Sequence, residues 1–169
     1  MTVPPFVERH GLWGDAQRAA ARRAQQEITA RGIELVRFSF ADQHGLLRGK
    51  TVAVLGLTYK PGTDTLRRSS AVELCEALIK AGATVRAFDP VVKQLPADLG
   101  GIALAASAAE ALRGADVAAV CTEWPEFRQV NWSDVVPAMR SGVFVDANRF
   151  LEKELKAVSG VEHLSVGRA

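Results

Sequence analysis

Two cationic residues, Lys60 and Arg67, bracket the turn-rich stretch Pro61-Gly62-Thr63-Asp64-Thr65 and are followed by Ser69-Ser70, a pair suited to capping a helix. Lysine brings a compact charge and arginine a planar fork of donors, while a helix start offers free backbone N–H groups and the positive end of a dipole. Together they would attract a small anion, a phosphate or pyrophosphate above all. A lysine and an arginine in a surface loop also have a plainer reading as solvated charge. Gly56, which opens the stretch, is followed by neither G-x-G-x-x-G nor G-x-x-x-x-G-K-[ST] spacing, so neither a dinucleotide fingerprint nor a Walker loop is present. The two cysteines, Cys75 and Cys121, stand in unrelated apolar contexts and read as core residues, with no metal or disulfide pattern around them.

The elements that must hold this loop alternate in type. Short runs rich in β-branched residues occur at 51–57, 84–88, 117–121 and 143–145, each apolar throughout, as strands covered on both faces are. Helical patterns occupy 70–81, 105–112, 132–139 and 151–158, and 162–166 offers a further edge strand. In the first of these helices Val72, Leu74, Cys75, Leu78 and Ile79 follow helical spacing, Ser69 or Ser70 caps the start and Gly82 marks the end. Strand–helix alternation predicts an α/β fold with an open, doubly wound, mostly parallel sheet of Rossmann-like form. In such a sheet the loop after the first strand lies at the carboxyl edge, where ligands collect. Trp124 and Phe127, after the third strand, read as loop residues packed on the sheet, with stacking on a base as the alternative, and Glu123 reads as a solvated carboxylate or a ligand contact.

Residues 1–50 are organised differently. Residues 15–30 are rich in Ala, Arg, Gln and Glu, a helix composition whose wet face would carry Arg18, Arg22 and Arg23. Residues 33–40 then alternate like a half-buried strand and turn at Ala41-Asp42-Gln43-His44-Gly45, so a helix plus β-hairpin appendage is expected. The whole chain, 48% hydrophobic and 24% charged with a net charge of +2, has ordinary globular composition and no broad basic footprint, so no nucleic-acid partner is expected. No apolar run approaches the roughly 20 residues that cross a bilayer, and Met1 to Trp13 lacks a basic start followed by an apolar stretch. Neither a membrane span nor a signal peptide is expected, and the sparse cysteines suit a reducing cytoplasm.

The motif Val54-Leu55-Gly56-Leu57-Thr58-Tyr59-Lys60-Pro61-Gly62-Thr63-Asp64 with Arg67 and Ser69 is followed by Asp89-Pro90, by Cys121-Thr122-Glu123-Trp124-Pro125-Glu126-Phe127 and by Asp146-Ala147-Asn148-Arg149. In this order they resemble the C-terminal, UDP-binding domain of the UDP-glucose/GDP-mannose dehydrogenase family, over residues 51–169. The resemblance implies that Tyr59 and Lys60 contact the UDP part of a nucleotide sugar and that Arg67 lies near NAD held by another domain. An arginine near the fourth strand reaches the nucleotide sugar of a neighbouring subunit in that family; here its position is Asn148, with Arg149 next. The acidic residue common after the Arg67 position is Arg68 here. The family oxidises a sugar C6 alcohol to a carboxylate with NAD, using a cysteine and a lysine from a region that this sequence does not match. The resemblance therefore implies a UDP- or UDP-sugar-binding chain that holds no NAD and does no chemistry by itself. A non-catalytic interaction fragment, a homodimer, or a subunit completed by another dehydrogenase chain are the alternatives.

The stretch Phe6-Val7-Glu8-Arg9-His10-Gly11-Leu12-Trp13 and the run Phe38-Ser39-Phe40-Ala41-Asp42-Gln43-His44-Gly45-Leu46-Leu47-Arg48-Gly49-Lys50 resemble the start of glutamine-synthetase-like proteins. That likeness implies a fragment over 1–50, with Asp42 and His44 read as turn and solvent-exposed residues because the ATP and glutamate sites of that enzyme have no counterpart here.

Overall fold

The computed structural model describes residues 14–31 and 49–166. The chain divides into two compact units, Met1–Phe38 and Ser39–Ala169. The first contains helix α1 (Asp15–Ala30), where the sequence places it, with Asp15 in the first turn against the dipole and Arg31 as C-cap. Arg18, Arg22 and Arg23 are exposed on it. The expected strand 33–40 and the turn with Asp42 and His44 lie outside the described residues.

The second unit is a six-stranded sheet of order β3-β2-β1-β4-β5-β6. Its strands are β1 (Thr51–Leu55), β2 (Thr84–Phe88), β3 (Ile102–Leu104), β4 (Val117–Val120), β5 (Val143–Asp146) and β6 (Glu162–Leu164). Every neighbouring pair is parallel. Helices α2 (Ser70–Lys80), α3 (Ala108–Leu112), α4 (Trp132–Val135) and α5 (Glu152–Lys156) return the chain between strands. This is the expected doubly wound, Rossmann-like α/β fold, and its switch point falls between β1 and β4, whose chains leave in opposite directions across the sheet.

Alternation along the strands divides the core between the two faces. Ala53, Leu55, Ala118, Val120 and Phe144 point to one face, where α3, α4 and α5 bring Leu112, Trp132 and Leu155. Val52, Val54, Val85 and Ala87 point to the other, beneath Ala71 and Cys75 of α2. On that second face α2 leaves β4 and β5 partly open. Val117, Ala119, Val143 and Val145 there line an apolar groove of about 380 Å³ with Leu74 and Leu78.

Local chemistry accounts for the boundaries. The Ser69 side chain caps α2 by accepting from the Ala71 N–H at 3.2 Å. At its other end the N–H groups of Gly82 and Ala83 bond the carbonyls of Ile79 and Leu78, a Schellman closure that uses the φ of +85° at Gly82. Helix α3 begins at Ala108, later than the expected 105, because Ser107 caps it and the Glu110 carboxylate folds back onto the Ala106 N–H at 2.7 Å. Pro137 turns the end of the expected 132–139 helix into a short 3-10 segment, Val136–Ala138. The sequence pattern does not mark β3 at all: three residues beside Gly100-Gly101 are too few to show a period, and pairing with β2 makes them a strand.

At the amino end of the sheet Asp116 joins β4 to β1. Its Oδ2 accepts from the Thr51 N–H and from Arg140 Nη1, each at 2.7 Å, and Lys50 Nζ lies 3.7 Å from Oδ1. Burial by itself would raise the carboxyl pKa, but the Thr51 N–H, the hydrogen bond and charge of Arg140 and the charge of Lys50 outweigh it and hold the group below the ordinary aspartate value. A carboxylate depressed in the folded state stabilises fully above its unfolded value, about 3.9, and progressively less as pH falls through the folded value. Urea midpoints should therefore fall from about pH 4 downward, and Asp116→Asn should lower the midpoint at pH 7 while flattening that acid limb.

Candidate functional site

The loop that the sequence singles out leaves β1 at Gly56, where φ is +87°. A Cβ built on Gly56 would stand 2.4 Å from Thr122 Cβ and 2.7 Å from the Thr122 backbone nitrogen, so only glycine lets the exit of β1 pass the exit of β4. The strand ends at Leu55 for this reason, short of the expected 57.

Beyond Gly56 the backbone is fixed by Asp89, at the end of β2. Asp89 is 1% exposed, and its Oδ2 accepts from the Leu57 N–H at 2.7 Å, the Thr58 N–H at 3.1 Å, Thr58 Oγ1 at 3.2 Å and Trp124 Nε1 at 3.1 Å. Its Oδ1 accepts from the Val91 N–H at 3.0 Å. Thr122 Oγ1 donates to the Thr58 carbonyl at 2.6 Å, and Ser69 Oγ donates to the Leu57 carbonyl at 2.6 Å. Each polar group of Thr58 is thus held from β2 or β4, and the loop closes through Tyr59 N–H to the Thr65 carbonyl at 2.8 Å. Trp124 and Phe127 are buried, which settles them as loop-packing residues.

This buried anchor carries an exposed rim. Tyr59, the chain's single tyrosine, is 63% exposed and lines a cavity of about 320 Å³ with Thr65, Arg67 and Arg68. Lys60 is exposed on the same loop but is not among the residues lining that cavity. Asn148 and Arg149 lie apart, in the turn after β5. There Asp146, buried at 1%, accepts from the N–H groups of Phe150 and Leu151 and pairs with His163 Nε2 at 3.1 Å. The Asn148 amide donates to Glu123 Oε1 at 2.7 Å, linking the turns after β5 and β4. Arg149, with φ +59°, donates to the Val166 carbonyl at 3.4 Å. The structure thus groups Tyr59 with Arg67, while Asn148 and Arg149 belong to a second cluster on the same edge.

Asp89 and Asp146 carry roles that sequence reading does not assign. An aspartate two residues before a free N–H, as Asp89 is before Val91, signals a local turn. Nothing local announces donors 31 to 35 residues away in sequence. The same bonding bears on dinucleotide binding at this edge. The β1 exit lacks the paired glycines that admit a pyrophosphate, and the Asp89 carboxylate is consumed inside the protein where a ribose would need it. These residues do not fit NAD by that route.

Both cysteines are free. Burial pushes the Cys75 thiol up to about 12, with smaller contributions from Cys121 and Glu76, and the Cys121 thiol to about 11, so at neutral pH neither supplies a thiolate. Among the described residues no group of three or more His, Cys, Asp or Glu is placed to hold a metal ion, and no helix is long and apolar enough to cross a membrane.

The fold and its edge loops define a Rossmann-like α/β domain. Residues 53–153 match the UDP-glucose/GDP-mannose dehydrogenase family, UDP binding domain, and the chain belongs to that family. It is 35% identical over 126 residues to a UDP-glucose 6-dehydrogenase of Rickettsia prowazekii, covering 73% of this chain and 29% of that protein. Over 108 residues it is 44% identical to a UDP-glucose 6-dehydrogenase of Haloferax volcanii, covering 63% of this chain and 25% of the relative. Among solved structures it is similar to a UDP-D-ManNAc dehydrogenase from Pyrococcus horikoshii, with 30% identity and a TM-score of 0.58 over 70% of this chain and 26% of that one. The chain thus spans under a third of the length of these relatives.

Removing the Asp89 carboxylate should leave the Leu57 and Thr58 N–H groups and Trp124 Nε1 buried without an acceptor. Asp89→Ala is expected to destabilise the domain by about 3 kcal/mol or more, read as a lowered urea midpoint.

Proposed function

We propose that this chain binds the UDP portion of a nucleotide sugar at the carboxyl edge of its sheet, with Tyr59 and Lys60 on the nucleotide. One observation carries the reading: the single tyrosine stands 63% exposed beside guanidinium groups, on a backbone whose preceding residue is fixed through buried hydrogen bonds. An exposed aromatic surface carried on a braced backbone is a stacking platform whose main chain needs little ordering on binding. Arg67 keeps the place that the resemblance implies, near NAD held by another domain. Asn148 and Arg149 contribute from the β5 turn, toward the ligand of a neighbouring subunit. Family membership supports the choice of UDP. In this proposal the chain by itself binds without turnover, because it matches the UDP binding domain of the family and not its NAD domain or catalytic region, and its free thiols suit the cytoplasm. In this proposal residues 51–169 are the binding domain, and 1–50 are a glutamine-synthetase-like fragment that stands on its motif alone.

If UDP binds only the folded state, about 100 times its Kd should stabilise by roughly 2.7 kcal/mol, visible as a thermal shift. Lys60→Ala should remove a charge-assisted contact worth about 1.5–3 kcal/mol, weakening UDP binding by roughly one to two orders of magnitude with ligand-free stability nearly unchanged. The absence of any shift at millimolar UDP, or a Lys60→Ala protein that binds like the parent, would remove the reading.

A second reading, pairing with another copy or with another dehydrogenase chain, is favoured by the groove over β4 and β5, where Val145 stays 41% exposed. Parallel sheets ordinarily have both faces covered. Sedimentation velocity should then show concentration-dependent association that Val145→Lys abolishes; a monomer at every concentration, with no complex on mixing with a dehydrogenase chain, counts against it.

A further inference from the structure

The two faces of the sheet are covered unequally. On the face of Phe144, α3, α4 and α5 lie over the strands. On the other, α2 and the 3-10 turn Ala97–Leu99 cover β1, β2 and β3 with Cys75 and Leu99. In register, Val54, Ala119, Val145 and Leu164 stand side by side on this second face, and Glu162 stands beside Val143 one pleat nearer the amino end. Along that row the exposed fraction climbs from 0% at Val54 and 6% at Ala119 to 41% at Val145 and 44% at Leu164. Cover among the described residues thus gives out beyond β4, although parallel strands are ordinarily buried on both faces.

The open strip has the dimensions of a helix. Neighbouring strands lie roughly 4.8 Å apart and a helix with its side chains is roughly 10 Å across, so one helix covers about two strands. Leu74 and Leu78 of α2 already wall one side of the groove, and a helix set beside them would rest on β4 and β5. The four residues of β5 run roughly 13 Å, the length of about nine helical residues, whose apolar contacts come from positions i, i+3 or i+4 and i+7. Size argues against two sheets laid face to face, because a stable dimer buries roughly 800 Å² per partner and a strip of about 10 by 13 Å is far smaller. Charge narrows the partner further. At the amino end Lys50 is held near Asp116, while the exposed Glu162 has no described ion pair and is left to meet a lysine or arginine.

We propose that the strip over β4 and β5 receives one amphipathic helix of a partner chain, its apolar stripe on Val143 and Val145 against Leu74 and a basic residue beside Glu162. This deepens the pairing reading and rests on it only for which chain supplies the helix. A second copy laid sheet to sheet is the competing occupant, which the test separates.

The full chain would be titrated into a fluorescently labelled peptide of about 18 residues, built from alanine, lysine and leucine with leucines at i, i+4, i+7 and i+11, and read by anisotropy. A peptide of the same composition with its leucines spread around the helix is the control. The patterned peptide should bind saturably and gain helicity by circular dichroism, and the control should do neither. Val145→Lys and Leu74→Lys set a charge on the apolar strip and should weaken binding by about tenfold or more, and Glu162→Lys should weaken it by roughly a few-fold. Val91→Lys, at a 39% exposed position elsewhere, should leave it unchanged. The proposal is overturned if the patterned peptide does not bind, if the control binds equally, or if Val145→Lys binds it as the parent does. Sedimentation velocity separates the occupants. Self-association that Val145→Lys abolishes and the peptide does not compete would assign the strip to a second copy, overturn the helix and leave the pairing reading standing. Peptide binding by a chain that stays monomeric and joins no dehydrogenase chain would uphold the helix site and remove the pairing reading.

Discussion

A carboxylate taken out of water has to recover its hydration from the protein, and among the described residues Asp89 does so without an ion pair. Five hydrogen bonds from four residues converge on it, four of them on one oxygen. An unpartnered ion at this depth would be very costly, so the carboxylate and its donors stay together or the local fold opens. Because Leu57, Thr58 and Trp124 come from the exits of β1 and β4, one side chain at the end of β2 sets the relative positions of three loops. The exposed rim of Tyr59, Lys60, Arg67 and Arg68 inherits its order from that buried point.

Aspartate is used the same way at two other places, with different consequences. Asp116 binds the amino end of the sheet and has cations beside it, so it strengthens the fold in a pH-dependent manner. Asp146 holds the turn after β5 and draws β6 in through His163. The amino end is thereby a clamp, while the carboxyl end is a set of braced loops with free side chains. Such a division suits an open parallel sheet, whose strand exits gather loops on one edge.

The topology is that of dinucleotide-binding domains, yet the chemistry at the switch point has been turned inward. Gly56 is retained because Thr122 leaves no room for a Cβ, a matter of packing between strand exits. The acidic residue after β2 is spent on backbone and indole N–H groups. What remains outside is aromatic and cationic surface, so the same strand order serves a different ligand geometry from the one its fold class suggests.

The α/β class, the α2 helix with its serine cap and glycine end, and the position of the loop from Gly56 to Ser69 at the carboxyl edge of the sheet were legible in the sequence. These depend on local signals: apolar runs, helical spacing and turn residues each act within a few positions. Family motifs proposed Tyr59, Lys60, Asn148 and Arg149 as site residues, while the family match over residues 53–153 identified the domain. Tertiary structure alone decided that β3 exists, that Asp89 anchors the loop, that Arg67 and Arg68 share a cavity with Tyr59 while Lys60 does not line it, and that Asn148 and Arg149 form a separate cluster. Each of these depends on groups distant in sequence meeting in space, through hydrogen bonds across 31 to 35 residues or a backbone angle at one arginine. No local pattern encodes such meetings, because the energy that fixes them exists only once the strands are paired.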